Sequence, residues 1–347
     1  MKKTLIALAV LAASGASFAQ ATISGNLTMG YLAYSKGGAT TADTSGFGVE
    51  TSQINFNTTE DLGGGMKLDA QMRVDGADRS NGGATVGAVV GKDAFLRLTT
   101  NGYGVLTLGA IKLGDLANGI ASVGATYWQF DDLGDNANQQ PDGLFYKRAT
   151  RDVVSYALPM GPVTLGVAHG EPKADGLGIG ATGSKGQRAN IYNAAYKAGA
   201  IAGNLTYSTY DNRDGTQATA KDQTRLEGAY DFGMAKVGLG YQVTSSDGTA
   251  GAKDTQTLLG VSVPLGSLQL GANWGVRKSD DYTTVANNGT RNGYILGANY
   301  ALSKRTSIIG QYARWDAASV AQTIGASSTV GMANPSTSFA LLLAHTF

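Results

Sequence analysis

Apolar and polar side chains alternate with a period of two along most of this chain. The stretch around Trp274 shows the pattern clearly, since apolar Leu270 and Trp274 alternate with polar Gln269, Asn273 and Arg277. A period of two places successive side chains on opposite faces of a β-strand, and no window of comparable length has the helical period. The pattern therefore predicts an all-β chain. Alternation alone does not distinguish a soluble β-sandwich from a membrane barrel.

The connections between these strands are alternately short and long along the whole chain. Seven are short: residues 61–64, 101–102, 159–162, 198–199, 233–234, 265–266 and 302–305. Eight are longer, polar and glycine-rich: residues 36–48, 76–91, 113–146, 171–188, 211–223, 245–254, 279–291 and 316–335. Tight periplasmic turns that alternate with long outer loops are typical of an outer-membrane barrel.

These connections predict a 16-stranded antiparallel transmembrane β-barrel, with both termini at the periplasmic rim. A sheet in lipid must close, because an unpaired edge there cannot be hydrated. A barrel of this size encloses an aqueous lumen.

The composition excludes several classes of protein. The chain has 50 glycines among 347 residues and no cysteine, so disulfides and cysteine-ligated zinc are absent. Its formal net charge is +1, and this lack of a basic excess argues against nucleic acid as a partner. His169 and His345 are the only histidines, which argues against a histidine-dependent hydrolase or a metal site. We therefore expect neither an enzyme nor a bound cofactor.

Residues 1–19 have the features of a cleavable export signal. Lys2 and Lys3 form a basic start, residues 5–13 are apolar, and the segment ends in small-x-small at Ala19. The apolar stretch is too short to span a bilayer. We predict cleavage between Ala19 and Gln20, which leaves a single barrel domain over residues 20–347.

Three segments resemble a known family, the trimeric general porins of β-proteobacteria and Neisseria. Residues 59–67 (TEDLGGGMK) resemble the family's first periplasmic turn, and residues 294–312 resemble its last hairpin. Residues 341–347 (LLLAHTF) are similar to its closing strand. The resemblance implies a homotrimer in the outer membrane of a Gram-negative bacterium, surrounded by lipid and lipopolysaccharide. It also implies a water-filled channel for passive diffusion of ions and small hydrophilic solutes.

The closing strand has an apolar face that ends in an aromatic residue. Phe339, Leu341, Leu343, His345 and Phe347 share one face, which we expect to contact lipid. The resemblance implies that the barrel-assembly machinery recognises this terminus, with His345 and Phe347 as its signature. The alternative is that Phe347 is an interfacial anchor, and both roles are compatible.

The third long connection differs from the others in length and charge. Residues 113–146 number 34, against 20 for the next longest, and the resemblance implies that this loop folds into the barrel and narrows it. The loop has no Lys or Arg and five acids: Asp115, Asp131, Asp132, Asp135 and Asp142. The basic residues that we assign to the facing wall are Lys67, Arg73, Arg97, Lys112, Lys147 and Arg151. Acids facing bases would create a transverse field that screens solutes by charge. The alternative is that both sets are ordinary solvated charges.

Two departures from the family pattern leave the selectivity open. Arg97 stands where the family usually has Gly, and Arg73 where a carboxylate is frequent. Conversely, Ala110 follows Gly109 where the family commonly has Arg, and Lys112 comes two places later. The choice between anions and cations, the pore size and any preferred solute are therefore not predicted. A solute-selective pore, or a surface adhesin or phage receptor that uses the barrel as an anchor, remain alternatives.

Overall fold

The computed structural model describes residues 20–36, 44–76, 90–124, 126–127, 129–130, 144–145, 150–172, 187–212, 220–283, 288–316 and 336–347. Over these residues the chain forms sixteen strands. They are β1 (Gln20–Lys36), β2 (Thr44–Gly63), β3 (Met66–Asp75), β4 (Val90–Thr100), β5 (Gly104–Lys112), β6 (Thr150–Met160), β7 (Val163–Pro172), β8 (Gln187–Ala198), β9 (Ile201–Asn212), β10 (Ala220–Asp231), β11 (Lys236–Ser246), β12 (Lys253–Leu265), β13 (Leu268–Asp280), β14 (Gly289–Ala301), β15 (Thr306–Trp315) and β16 (Ser336–Thr346).

The strands form one closed antiparallel barrel in which each strand pairs with its neighbours in the sequence. β1 pairs with β16 and closes the sheet, with Met29 opposite Leu343. The closing seam reaches the last residue, because the Phe347 N–H donates to the Gly25 carbonyl (3.1 Å) and the Gly25 N–H donates to the Phe347 carbonyl (2.9 Å). The predicted 16-stranded antiparallel barrel is confirmed.

The alternation in the sequence corresponds to the two faces of this barrel. On β13, Leu270 and Trp274 are 41% and 47% exposed on the outer face, whereas Asn273 and Arg277 are buried on the inner face. The inner face is polar and the outer face is apolar, which is the opposite of a soluble barrel and the arrangement that lipid requires. Phe339, Leu341, Leu343 and Phe347 lie on the outer face of β16 and the terminus beyond it, as predicted.

Glycine shapes the first periplasmic turn. Gly63, Gly64 and Gly65 have φ angles of 77°, 60° and 79°, a left-handed backbone conformation that other residues rarely adopt. The turn is therefore possible because three glycines occur in succession. Asp61 adds a local hydrogen bond, since its Oδ1 accepts from the Gly63 N–H at 2.9 Å.

A small apolar core lies inside the barrel, where a plain pore would contain only water. Its members come from the connection between β5 and β6, which we call the third loop, from the inner faces of β12, β14, β15 and β16, and from Tyr34 of β1. The loop contributes Leu116, Ala117, Ala121, Phe130, Leu144 and Phe145. The wall contributes Leu258, Ile295, Ile309, Ala313, Trp315, Ala340 and Leu342.

Candidate functional site: the third loop and the lumen wall

The third loop folds into the barrel and packs against one side of the lumen. Phe130 and Phe145 pack against each other, with ring centroids 5.1 Å apart, and Phe130 also contacts Trp315 of β15 edge-to-face at 6.3 Å. Aromatic pairs of this geometry contribute packing beyond their buried area. The loop is therefore held against the wall by an apolar contact as well as by polar ones.

Hydrogen bonds fix the described part of the loop along this wall. Asn273 accepts from the Gly124 N–H at 2.9 Å and donates to Ser122 Oγ at 2.9 Å. Thr126 Oγ1 lies 3.1 Å from Gln311 Oε1 on β15. Tyr127 Oη lies 2.9 Å from Thr51 Oγ1 on β2. The loop therefore extends past β15 and β16 and contacts a strand beyond the closing seam.

The wall opposite the loop is formed by the strands around β4. β4 and β12 are eight strands apart in a ring of sixteen, so they face each other across the lumen. β12 belongs to the wall that the loop covers. The inner face of β3 and β4 carries Lys67, Arg73 and Arg97, three of the six basic residues assigned to the wall from the sequence.

Arg73 is engaged by two carboxylates. Its Nε and Nη2 donate to Asp75 Oδ1 and Oδ2 at 2.9 and 3.3 Å, and its Nη1 lies 3.7 Å from Asp93. Extending the register of Met72 with Ala94 by one residue places Asp93 opposite Arg73, just before the register shift that precedes Val74. The positive charge of Arg73 is largely compensated within the wall.

Arg97 is arranged differently. Its guanidinium carbon lies 4.7 Å from the centroid of the Phe95 ring, and its Nε approaches Thr107 Oγ1 at 3.4 Å. The side chain is exposed to the lumen. Asp69 lies opposite Arg97 in the strand register, but that carboxylate pairs with Lys67 at 2.8 Å and accepts from Thr59 at 2.7 Å. A guanidinium held over an aromatic ring keeps its charge and its outer donors available.

Three other residues assigned to the site lie away from the lumen surface. Lys112 lies on the outer face of β5, because residues an even number of positions apart on a strand share a face and Leu108 is on the outer face. Lys112 therefore does not belong to the basic wall. Arg151 faces inward but is only 3% exposed, next to Gly170 and Leu113. Asp115 is buried within the loop, where its Oδ1 accepts from the backbone and side-chain nitrogens of Asn118 at 2.8 and 3.0 Å.

The remaining assigned residues lie outside the described part of the chain. They are Ala19, Asp131, Asp132, Asp135, Asp142 and Lys147. Gln20 is the first residue of β1. His345 lies at the end of β16, where its Nδ1 is 2.9 Å from Thr306 Oγ1.

The structure adds two buried ion pairs that were not assigned from the sequence. Arg225 Nε lies 3.2 Å from Glu227 on β10, and Arg277 Nε lies 3.2 Å from Asp254 between β13 and β12. Glu227 also accepts from the Ala121 backbone of the third loop. The alternation of β10 and β13 already placed Arg225 and Arg277 on the polar face. Their burial was not predictable in the same way, because it depends on the rest of the folded barrel. At Glu227, for example, the third loop lies against the inner face of β10.

The described residues hold no group of three or more His, Asp or Glu side chains that could bind a metal ion. Nor do they contain a helix with the length and apolar character needed to span a membrane.

Comparison with known proteins identifies the family. Residues 4–318 match the Gram-negative porin family. The chain belongs to this family. It is also 28% identical over 336 residues to outer membrane porin protein 32 of Delftia acidovorans. This alignment covers 90% of the present chain and 89% of that protein.

Solved porin structures have the same barrel. The anion-selective porin from Comamonas acidovorans superposes with a TM-score of 0.71 at 21% identity, covering 95% of this chain and 100% of that chain. An engineered triple mutant of Rhodopseudomonas blastica porin gives 0.64 at 17% identity, covering 94% and 100%. At these sequence identities the structural similarity shows that the chain shares the porin fold.

This porin is a channel of the Gram-negative outer membrane through which ions and small hydrophilic solutes diffuse passively. The family and the fold are those of channels and not of enzymes. The resemblance to porins noted in the sequence is confirmed.

Proposed function

We propose that the channel of this porin is narrowest between the third loop and the wall of β2–β5, and that charge at this constriction makes it prefer anions. The observation that supports this most is Arg97, a cation exposed in the lumen and held over Phe95 on the wall opposite the loop. A fixed charge in a narrow, partly desolvated passage favours counter-ions.

The net charge of the neighbouring wall strands is also positive. The inner wall segments β3 and β4 contain four basic and three acidic side chains, and Lys67 and Arg73 are paired with Asp69 and Asp75. Among the described residues of β3 and β4, Arg97 is the basic side chain that no carboxylate approaches within ion-pair distance, and Asp69 interacts with it only over a longer range. The related Comamonas porin is described as anion-selective. We assign Asp131, Asp132, Asp135 and Asp142 of the third loop to the facing side of the constriction, and Lys147 to the basic wall.

The reversal potential of the purified porin in a planar bilayer tests this proposal. Under a salt gradient of KCl at low concentration, we expect a potential of the sign that chloride permeation gives. Replacing Asp131, Asp132 and Asp135 together with Asn should increase the anion preference. A cation-selective wild-type channel would overturn the proposed selectivity, and an unchanged triple variant would remove these acids from the constriction.

We propose a homotrimer that associates through the outer face of β2–β5. A groove of about 510 Å³ lies on this face, between large apolar residues such as Phe56, Met72, Leu96 and Leu108. A concave apolar face can be filled by the side chains of a neighbouring subunit, and close packing of this kind drives association between apolar surfaces in lipid.

The oligomer should survive in SDS when the sample is not heated. We expect migration well above the monomer, with collapse to the monomer on boiling. Met72→Glu should convert the unheated sample to a folded monomer, whereas Val167→Glu on the outer face of β7 should not. A monomer of the wild type by native mass spectrometry in mild detergent would contradict the trimer.

We further propose that residues 1–19 are removed on export, which an intact mass beginning at Gln20 would support and a retained Met1 would contradict. Once the chain is in the periplasm, Phe347 and His345 would serve the barrel-assembly machinery. Phe347 is well placed for such a role, since its ring covers Gly25 on the outer face and its backbone completes the closing seam. Lipopolysaccharide would then surround the outer rim of the trimer.

A further inference from the structure

The inner wall under the third loop contains a patch of glycines. The strand register places Gly238 opposite Gly260, Gly271 opposite Gly297, and Gly275 opposite Gly293. The patch, which we call the glycine slot, consists of Gly238, Gly240, Gly260, Gly271, Gly275, Gly293 and Gly297 on β11–β14. Glycine inside a strand weakens the strand, so a cluster of them indicates that another backbone approaches closely.

The third loop occupies the space that side chains of the slot would need. A Cβ on Gly271 would overlap the backbone of Gly124, and a Cβ on Gly260 would lie 3.0 Å from the Val123 nitrogen. A Cβ on Gly275 would lie 2.8 Å from the Phe130 ring. The third loop can therefore lie this close to the wall only because these side chains are absent.

Asn273 is a polar side chain in the middle of the slot. Gly271 and Gly275 are its neighbours on the same face of β13, and Gly260 lies opposite it on β12. It is 2% exposed, and its amide bonds Gly124 and Ser122 of the loop. The glycines set the depth of the loop, and Asn273 sets its position along the wall.

We propose that the glycine slot and Asn273 are positioning residues that set the width of the channel. They act from the wall opposite the pore-lining charges, by holding the third loop back from the lumen. This inference depends on the proposed constriction between the loop and the wall of β2–β5. It assigns the size limit to residues that permeating solutes do not touch.

Replacement of Gly271 with Ala tests this inference against a matched control. Gly166 of β7 also faces inward, is also the third residue after the start of its strand, and would place a Cβ at an ordinary 3.6 Å from Asn193. Gly271→Ala should displace the loop toward the lumen and lower the single-channel conductance by about a third or more, since conductance follows the narrowest cross-section. Gly166→Ala should conduct like the wild type.

The size limit is measured with uncharged polyethylene glycols of graded mass at high salt, so that charge selectivity does not enter. Gly271→Ala should exclude smaller polymers than the wild type does. Gly124→Ala makes the same overlap from the loop side, where its Cβ would lie 2.6 Å from Asn273 Oδ1, and it leaves every strand unchanged.

The outcomes separate clearly. A lower polymer cut-off in Gly124→Ala, with Gly166→Ala unchanged, supports the slot even if Gly271→Ala fails to fold. Wild-type conductance and cut-off in folded Gly124→Ala would overturn it. Neither result depends on the sign of the reversal potential, so a failure of the proposed charge selectivity would be seen separately.

Discussion

Replacing Asp254 with Ala should destabilise the folded porin by about 3–5 kcal/mol, because removal of one partner leaves the other charge of a buried pair uncompensated. Asp254 and Arg277 are fully buried, with Nε and Oδ1 3.2 Å apart. The same carboxylate also accepts hydrogen bonds from Ser279 and from Tyr282, the latter at 2.7 Å. One substitution therefore removes the acceptor for three donors.

A neighbouring exposed pair provides the control. Lys278 and Asp280 are 3.0 Å apart on the same strand, with side chains 56% and 26% exposed. Asp280→Ala should cost less than about 1 kcal/mol, because exposed ion pairs contribute little. Urea unfolding in detergent, followed by the loss of the compact form on unheated SDS gels, compares the two variants.

A third variant distinguishes a lost charge partner from a lost side chain. Asp254→Leu combined with Arg277→Met removes both charges, and we expect it to be more stable than Asp254→Ala. If Asp254→Ala unfolds at the same urea concentration as Asp280→Ala, the buried pair is not a source of stability.

The strands were predictable because their signals are local. The third loop was predicted between residues 113 and 146, and β5 ends at Lys112 while β6 begins at Thr150. Alternation of polar and apolar residues depends only on neighbours in the chain, and it predicts the inward direction of Arg97 and Arg277. The same rule, applied strictly, would have placed Lys112 on the outer face.

The place on the inner wall where the third loop packs was not predictable, because it depends on the closed barrel. The frequency of glycine is visible in the sequence, but Gly271 and Gly297 become one surface only through the register of β13 with β14. Asp93 meets Arg73 only through the register of β3 with β4, in which Met72 opposes Ala94. Both facts involve pairs of strands, and a single strand does not specify them.

Replacing Arg97 with Glu should reverse the proposed anion preference of the porin to a cation preference. The wild-type guanidinium is exposed in the lumen and fixed over Phe95 at 4.7 Å. A unit charge about 4 Å from an ion contributes about 1 kcal/mol in water and about 4 kcal/mol in partly screened surroundings. The substitution changes the wall by two unit charges, so we expect the anion-to-cation permeability ratio to fall by about tenfold or more, since 1.4 kcal/mol is a factor of ten.

Arg314→Glu is the matched control for Arg97→Glu. It makes the same change in net charge, but Arg314 is exposed on the outer face of β15, where it alternates with inward Ala313 and Trp315. The reversal potential of Arg314→Glu should stay close to that of the wild type. Salt provides a second control, because the Debye length falls from about 10 Å at 0.1 M to about 3 Å at 1 M and the effect of Arg97 should shrink with it. If the two variants shift the reversal potential equally, or if Arg97→Glu leaves it unchanged at low salt, Arg97 does not select ions in this channel.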